Sequence, residues 1–301
     1  MRIGALVPIR LASERLPGKQ LKPIAGRPAV HHLLDRMYAS RYLAPERVVV
    51  CTTEDPSDDA LVPVVESYGA RVFRGSRDDI VDRFHRATEN FGFDAVLQAD
   101  GDDPFTDTGY MDFCMDQLLA DDKLDLCRCE GLPLGLNSKA IRARAIRRVR
   151  QHRITEKNDH GFILLFTETG LCSTATISPV TPAHRHATAR ITLDYADDLR
   201  FFNELHAAAS QLNPRFTVAE IVAALRANPA LVDINAHLNQ AYQQRTEALL
   251  DLKYRRAGRV HTLGVADSRR FIDLRKTVAR RKTKAATRRA ASEVRRKRPQ
   301  K

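Results

Sequence analysis

Four short apolar runs in the first hundred residues, IGALVP (3–8), RVVVC (47–51), ARVF (70–73) and AVLQ (95–98), are separated by segments of helix length. Runs this short and this continuously apolar read as strands buried on both faces. The intervening segments 28–40, 57–68 and 78–91 carry helical spacing, and Val30, Leu33, Leu34 and Met37 make one apolar stripe. Such repetition predicts a mostly parallel sheet covered by helices on both faces, an α/β fold with right-handed crossovers. After residue 105 the rhythm loosens. Helices are predicted over 108–121, 138–150, 159–168, 196–211, 217–227 and 235–250, and strands over 124–129, 173–178 and 190–193. The expected division is a folded domain over 1–250 and a basic, flexible extension over 251–301.

The net charge of +12 suggests a nucleic-acid binder until it is divided along the chain. Residues 276–301 hold 12 Lys/Arg and one acid, Glu293, so the remaining 275 residues are close to neutral. With almost no large apolar side chain, that tail cannot bury a core. It is expected to act as a tether or to contact nucleic acid or an anionic surface in a salt-sensitive way. No run approaches 18 apolar residues, so no transmembrane segment is expected. The first residues enter a strand pattern directly, without the layout of a secretory signal. Five scattered cysteines suit a reducing cytoplasm, and Cys127-x-Cys129 lacks the second ligand pair of a zinc site.

In an open α/β sheet, ligands bind beyond the carboxyl ends of the strands, and three polar loops fall there. The first, RLASERLPGK (10–19), offers Arg10, Ser13, Arg15 and Lys19 around a Pro-Gly turn. Guanidinium groups grip phosphate oxygens in pairs, lysine supplies a compact charge, and turn amides cradle anions. Neither a Walker A pattern nor a Gly-x-Gly-x-x-Gly pattern is present. The second loop, QADGDDPF (98–105), presents Asp100, Asp102 and Asp103; the third, LDYADD (193–198), presents Asp194. Mg²⁺ takes one or two carboxylates plus phosphate oxygens, which makes Asp102 and Asp194 its candidate ligands. Both loops also suit turn and helix-cap chemistry, so Asp194 has an alternative as the cap of the helix at 196.

The segment VPIRLASERLPGK (7–19), continuing to IAGRP (24–28), closely resembles the opening motif of the sugar-acid cytidylyltransferases. That family includes the CMP-KDO and CMP-acylneuraminate synthetases, and the branch most similar here is the spore-coat polysaccharide group. VFRGS (72–76), DR (82–83), GDDP (101–104), LD (193–194), NPRF (213–216) and DINAH (233–237) follow in the family's order. The resemblance covers about residues 3–245. It implies a Rossmann-like, three-layer α/β/α nucleotidyltransferase fold that joins an acidic sugar to CMP, using CTP and Mg²⁺ and releasing pyrophosphate for glycan synthesis, in a protein expected to dimerise. Arg10, Ser13, Arg15 and Lys19 would hold the triphosphate, with Arg15, Lys19 and Asp102 at the reacting phosphate. Arg74 and Asp100 would contact the nucleotide, and Asp102 and Asp194 the metal. His160 and Asn137 are the acceptor candidates, with Arg128 and Arg190 as further cations for an acceptor carboxylate; a structural role is the alternative for Arg128, Arg190 and His160 alike.

The sequence departs from the family in three respects. Asp100 stands where the CMP-KDO enzymes have glutamine, Asn137 replaces an acid of the spore-coat group, and the basic tail is foreign to the pattern. Other readings are transfer with a different nucleotide or acceptor, such as a sugar phosphate or phosphonate, and a non-catalytic polyanion binder using the tail.

Overall fold

The computed structural model describes residues 1–264. Its central sheet has seven strands: β1 (Ile3–Pro8), β2 (Val48–Thr53), β3 (Arg71–Gly75), β4 (Ala95–Gln98), β5 (Leu126–Cys129), β6 (Lys139–Arg142) and β7 (Thr174–Ile177). They lie in the order β3-β2-β1-β4-β6-β5-β7. β1 to β4 are parallel; β6 alone runs against its neighbours β4 and β5, and β5 pairs in parallel with β7. The first three strands extend the sheet in one direction and β4 returns to the other side of β1. The chain therefore leaves β1 and β4 on opposite sides, which opens a crevice between their carboxyl ends.

The strands form because alternate residues enter two separate cores. Ala5, Val7, Val48, Val50, Leu97, Cys127 and Ala140 face one; Leu6, Val49, Cys51, Val96, Leu126 and Ile141 face the other. Helices α1 (Ala29–Tyr38), α2 (Leu61–Glu66) and α4 (Thr108–Ala120) cover the first face. The second is covered by α3 (Ile80–Phe91), α5 (Ala143–His152) and α6 (Leu164–Thr167). Helices α7 (Ala196–Leu212), α8 (Val218–Ala227) and α9 (Ala230–Asp233) extend the first core, and α10 (Leu238–Ala248) follows them.

Several expectations are corrected. The segment read as one helix over 138–150 begins as strand β6 and becomes helical only at Ala143. Residues 190–193 are extended but lie outside the sheet, with a single bridge from Arg190 to Leu134. The helix expected over 159–168 shrinks to the four residues of α6. The extension expected from 251 opens with a hairpin, β8 (Leu252–Arg256) and β9 (Arg259–Leu263). Leu252, Tyr254 and Leu263 bury against the second core, and Ala257 and Gly258 close the turn at φ 49° and 74°. Paired positive φ values suit the twist of a tight hairpin. The basic tail 276–301 lies outside the described residues. Among the described residues no helix is long and apolar enough to cross a membrane.

Candidate functional site

The loop after β1 is fixed before any ligand arrives. Ile9, Leu11 and Leu16 are buried, and the buried carboxylate of Asp58 accepts the Leu11 N–H at 2.6 Å. Its other oxygen accepts the Thr53 hydroxyl at 2.5 Å and the Thr53 N–H at 3.2 Å, so the loop is tied to the end of β2. Gly18 donates to the Leu11 carbonyl at 3.0 Å. Its φ of 64° starts a short 3₁₀ turn, Lys19–Leu21, that directs Lys19 inward. Ser13 serves the same turn, its hydroxyl accepting the Leu16 N–H at 3.4 Å. The loop after β4 passes close by: a side chain at Gly101 would meet the Pro8 backbone and Ile9.

Lys19 is the centre of the arrangement. The residue is 6% exposed, and its ammonium donates to Asp102 Oδ2 at 3.0 Å and to Asp194 Oδ1 at 2.8 Å. Arg15 reaches the same Asp194 oxygen at 2.5 Å, and Arg190 takes the other at 2.7 Å. Burial opposes the charge on Lys19, but Asp102 and Asp194 outweigh it and raise the pKa. Burial likewise opposes ionisation of Asp194, and Lys19 and Arg15 overcome it, holding that carboxyl below the ordinary range. Asp102 differs. Burial raises its pKa, and the neighbouring Asp194 and Asp100 add to the rise against the pull of Lys19.

Asp194 is not the helix cap. Tyr195 holds the N-cap position, and Asp198 in the first turn supplies the carboxylate of a capping box, its Oδ2 accepting the Asp194 and Tyr195 N–H groups at 2.9 and 3.0 Å. Asp198 also binds Arg190 Nε at 3.0 Å and Asn235 Nδ2 at 2.9 Å. Arg190 therefore stands as a fully buried structural cation beneath Asp194, which corrects its candidacy for an acceptor carboxylate. Tyr242 stacks on it, with the guanidinium carbon 4.4 Å from the ring centroid.

The other candidates have partners of their own. Arg10 bonds Asp159 at 2.6 Å, and His160 Nδ1 lies 3.2 Å from the same carboxylate. Asp100 accepts from Gln98 at 2.8 Å and from Lys139 at 2.9 Å. Asn137 lies two residues ahead of Lys139, and its buried Oδ1 has no hydrogen-bond partner among the described residues. Arg128 is bound to Glu130 at 2.9 Å. Arg74 stands apart, joined to Asp59 at 2.7 Å and to the Thr53 and Asp55 carbonyls. Sequence reasoning missed Asp159, Lys139, Asp198 and Asn235 as partners. The DINAH segment that carries Asn235 and the LDYADD loop that ends at Asp198 were the available signals.

Among the described residues no group of three or more His, Cys, Asp or Glu could hold a metal. Asp102 and Asp194 are nonetheless two hard oxygen donors on opposite sides of one ammonium, and the crowding that raises the Asp102 pKa is what a cation relieves. The pair fits a divalent cation that shares its remaining ligands with phosphate, provided Lys19 gives way.

A cationic loop set against carboxylates, at the switch point of a mostly parallel sheet, is the layout of a nucleotidyltransferase. The chain belongs to the cytidylyltransferase family, whose model matches residues 4–159. It is 26% identical over 227 residues to the spore coat polysaccharide biosynthesis protein SpsF of Bacillus subtilis, spanning 74% of this chain and 94% of that protein. The 3-deoxy-manno-octulosonate cytidylyltransferase of Geobacter sulfurreducens is 35% identical over 114 residues, 37% of this chain and 43% of the enzyme. A solved cytidylyltransferase from Leptospira borgpetersenii has the same fold, with a TM-score of 0.68 at 22% identity, covering 77% of this chain and 97% of that one.

Proposed function

We propose that the protein transfers the cytidylyl group of CTP to a hydroxyl of an acidic sugar, releasing pyrophosphate, as a step in polysaccharide or glycan synthesis. The observation that carries this reading is the buried Lys19 ammonium between Asp102 and Asp194, with Arg15 on the same carboxylate. These groups already hold opposite charges in register, so a triphosphate can replace the carboxylates around the cations with little reorganisation. Preorganised charge of this kind is usually the largest contribution to catalysis.

Arg10, Ser13, Arg15 and Lys19 bind the triphosphate, with Arg74 and Asp100 toward the rest of the nucleotide. Lys19 and Arg15 steady the charge that develops on the reacting phosphate. The acceptor hydroxyl attacks the α-phosphorus, the bond to the β-phosphate breaks, pyrophosphate leaves, and the hydroxyl proton is released to water. Asp102 and Asp194 would hold Mg²⁺, which when bound neutralises phosphate charge and polarises the phosphoryl oxygen. His160 and Asn137 line the acceptor side. A reducing cytoplasm suits the five cysteines, all free thiols in the structure.

The test is pyrophosphate release with CTP, Mg²⁺ and a panel of sugar acids. Asp102→Ala is expected to lower kcat about a hundredfold or more. Full turnover in that variant would overturn the assignment of the site.

A further inference from the structure

At the carboxyl edge of the sheet, Gln98, Lys139, Arg128 and Thr176 stand in one register row across β4, β6, β5 and β7. Residues paired in register project to the same face. Two residues along each of the first three strands, the same face carries Val96, Ile141 and Leu126 into the second core. The apolar surface thus ends abruptly in an amide, an ammonium and a guanidinium. Arg128 is committed to Glu130. Lys139 is not fully engaged: among the described residues its one hydrogen bond runs to Asp100 at 2.9 Å, and its side chain is 12% exposed. Two of the three N–H groups of the ammonium are left for a ligand.

Among the described residues two buried acceptor oxygens of neighbouring positions have no donor: Gln98 Oε1, from the cross-strand partner of Lys139, and Asn137 Oδ1, two residues ahead of it in the chain. Buried acceptors left unpaired are costly and call for a donor. A spare cation beside two unpaired acceptors is complementary to a molecule with an acid group and several hydroxyls. The row also lies on the right side. In the sheet order β1-β4-β6, the cationic loop follows β1, the carboxylate loop follows β4, and Lys139 begins β6. Lys19 and Lys139 therefore flank the loop that carries Asp100 and Asp102. The first cation belongs to the donor's phosphates; the second faces the space left for the acceptor. Two positions at which the sequence departs from the families it resembles, Asp100 and Asn137, both adjoin Lys139.

We propose that Lys139 is the specificity-determining residue for the acceptor: it binds the carboxylate of a polyhydroxylated acid, while Gln98 and Asn137 accept hydrogen bonds from its hydroxyls. This deepens the cytidylyl-transfer reading and rests on it. Lys139 does not itself hold CTP; its link to the nucleotide runs only through Asp100.

Calorimetric titration of the full chain separates the two ideas. The probes are CTP with Mg²⁺ and, separately, 3-deoxy-manno-octulosonate, N-acetylneuraminate and galacturonate, each beside its methyl ester. The wild type is expected to bind at least one acid more tightly than its ester. Lys139→Met should weaken that acid about tenfold or more, the size of a lost charge-assisted hydrogen bond, and bring acid and ester to similar affinity. Lys139→Arg should keep the preference for the acid. CTP affinity should change much less than acid affinity in both variants, since Lys139 reaches the nucleotide only through Asp100, and retained CTP binding also reports that they fold; Lys139→Gln serves if the methionine variant does not. An acid preference that survives in Lys139→Met overturns the proposal, as does a CTP affinity that falls in step with the acid. If no acid binds while CTP does, the proposal fails and the donor half of the function stands. If an acid binds through Lys139 while CTP does not, the function fails and the acid site stands.

Discussion

Replacing Lys19 with methionine removes the ammonium that separates Asp102 from Asp194 while keeping most of its apolar length. Asp194 retains Arg15 at 2.5 Å and Arg190 at 2.7 Å, so its charge stays compensated. Asp102 loses the cation that holds it down, while burial, Asp194 and Asp100 continue to raise its pKa. Removing one partner of a buried pair typically costs about 3–5 kcal/mol. The Asp102 side chain is 31% exposed and can be partly hydrated, which reduces the expected loss to about 2 kcal/mol. In a domain of this size that corresponds to a fall in Tm of about 5 °C. Activity should fall much further, by about 10²–10³ in kcat, because a positive charge at the reacting phosphate is gone. Urea unfolding and a pyrophosphate assay on Lys19→Met, Asp102→Asn and the double variant separate the two effects. Asn at 102 should restore most of the stability lost in Lys19→Met and none of the activity. The ammonium also occupies the space between both carboxylates, so Lys19→Met should gain a thermal shift from MgCl₂ without nucleotide that the wild type lacks. Turnover within threefold of wild type, or stability losses that simply add in the double variant, would refute the reasoning.

The acid side of the stability curve should carry a signature of His32. Its ring is 7% exposed and donates to the Ile24 carbonyl at 2.8 Å, and burial pushes its pKa down to about 4. Between pH 6.5 and 4 the unfolded chain takes up a proton that folded His32 refuses, so stability drains away as the pH falls through that window, by at most about 3 kcal/mol. His32→Gln should flatten this part of the curve in urea titrations, and an unchanged slope would count against the assignment. We also propose that the catalytic domain extends to the hairpin rather than to 250. A chain ending at 264 is expected to keep its Tm and its turnover, whereas ending it at 250 exposes the partners of Leu252, Tyr254 and Leu263 and should cost several kcal/mol.

The first half of the fold was legible because buried parallel strands leave unbroken apolar runs, and β1 and β4 fall on the expected residues. Strand β6 was not. Ala140, Ile141, Ala145, Ile146 and Val149 are all buried, and their spacing continues across the junction as one helical stripe. Only pairing with β4 and β5, more than ten residues away in sequence, makes the first four residues a strand. Residues 190–193 alternate as a strand would, yet their backbone is spent on other loops: Ile191 donates to Leu134 and Leu193 to Asp102, both at 2.8 Å. The hairpin was readable in principle, since Leu252, Tyr254 and Leu263 are apolar among cations, but the basic composition obscured the alternation. For the site, the sequence supplied Lys19, Asp102 and Asp194 as residue types at strand ends. Their convergence on one ammonium, and the partners Asp159, Lys139 and Asp198, depend on contacts that no local spacing encodes.

Lys19 meets carboxylates 83 and 175 positions away in the chain. Such a centre has no existence in any fragment. A nascent chain that has completed the family-matched stretch 4–159 carries Lys19 and Asp102 but lacks Asp194 and the Arg190–Asp198 support beneath it. Closing these loops is entropically expensive and comes after the local helices can form. The centre is therefore among the last parts of the molecule to assemble and registers whether both halves have met. Nucleotide binding during refolding should lag behind secondary structure, marking the completed molecule rather than the collapsed one.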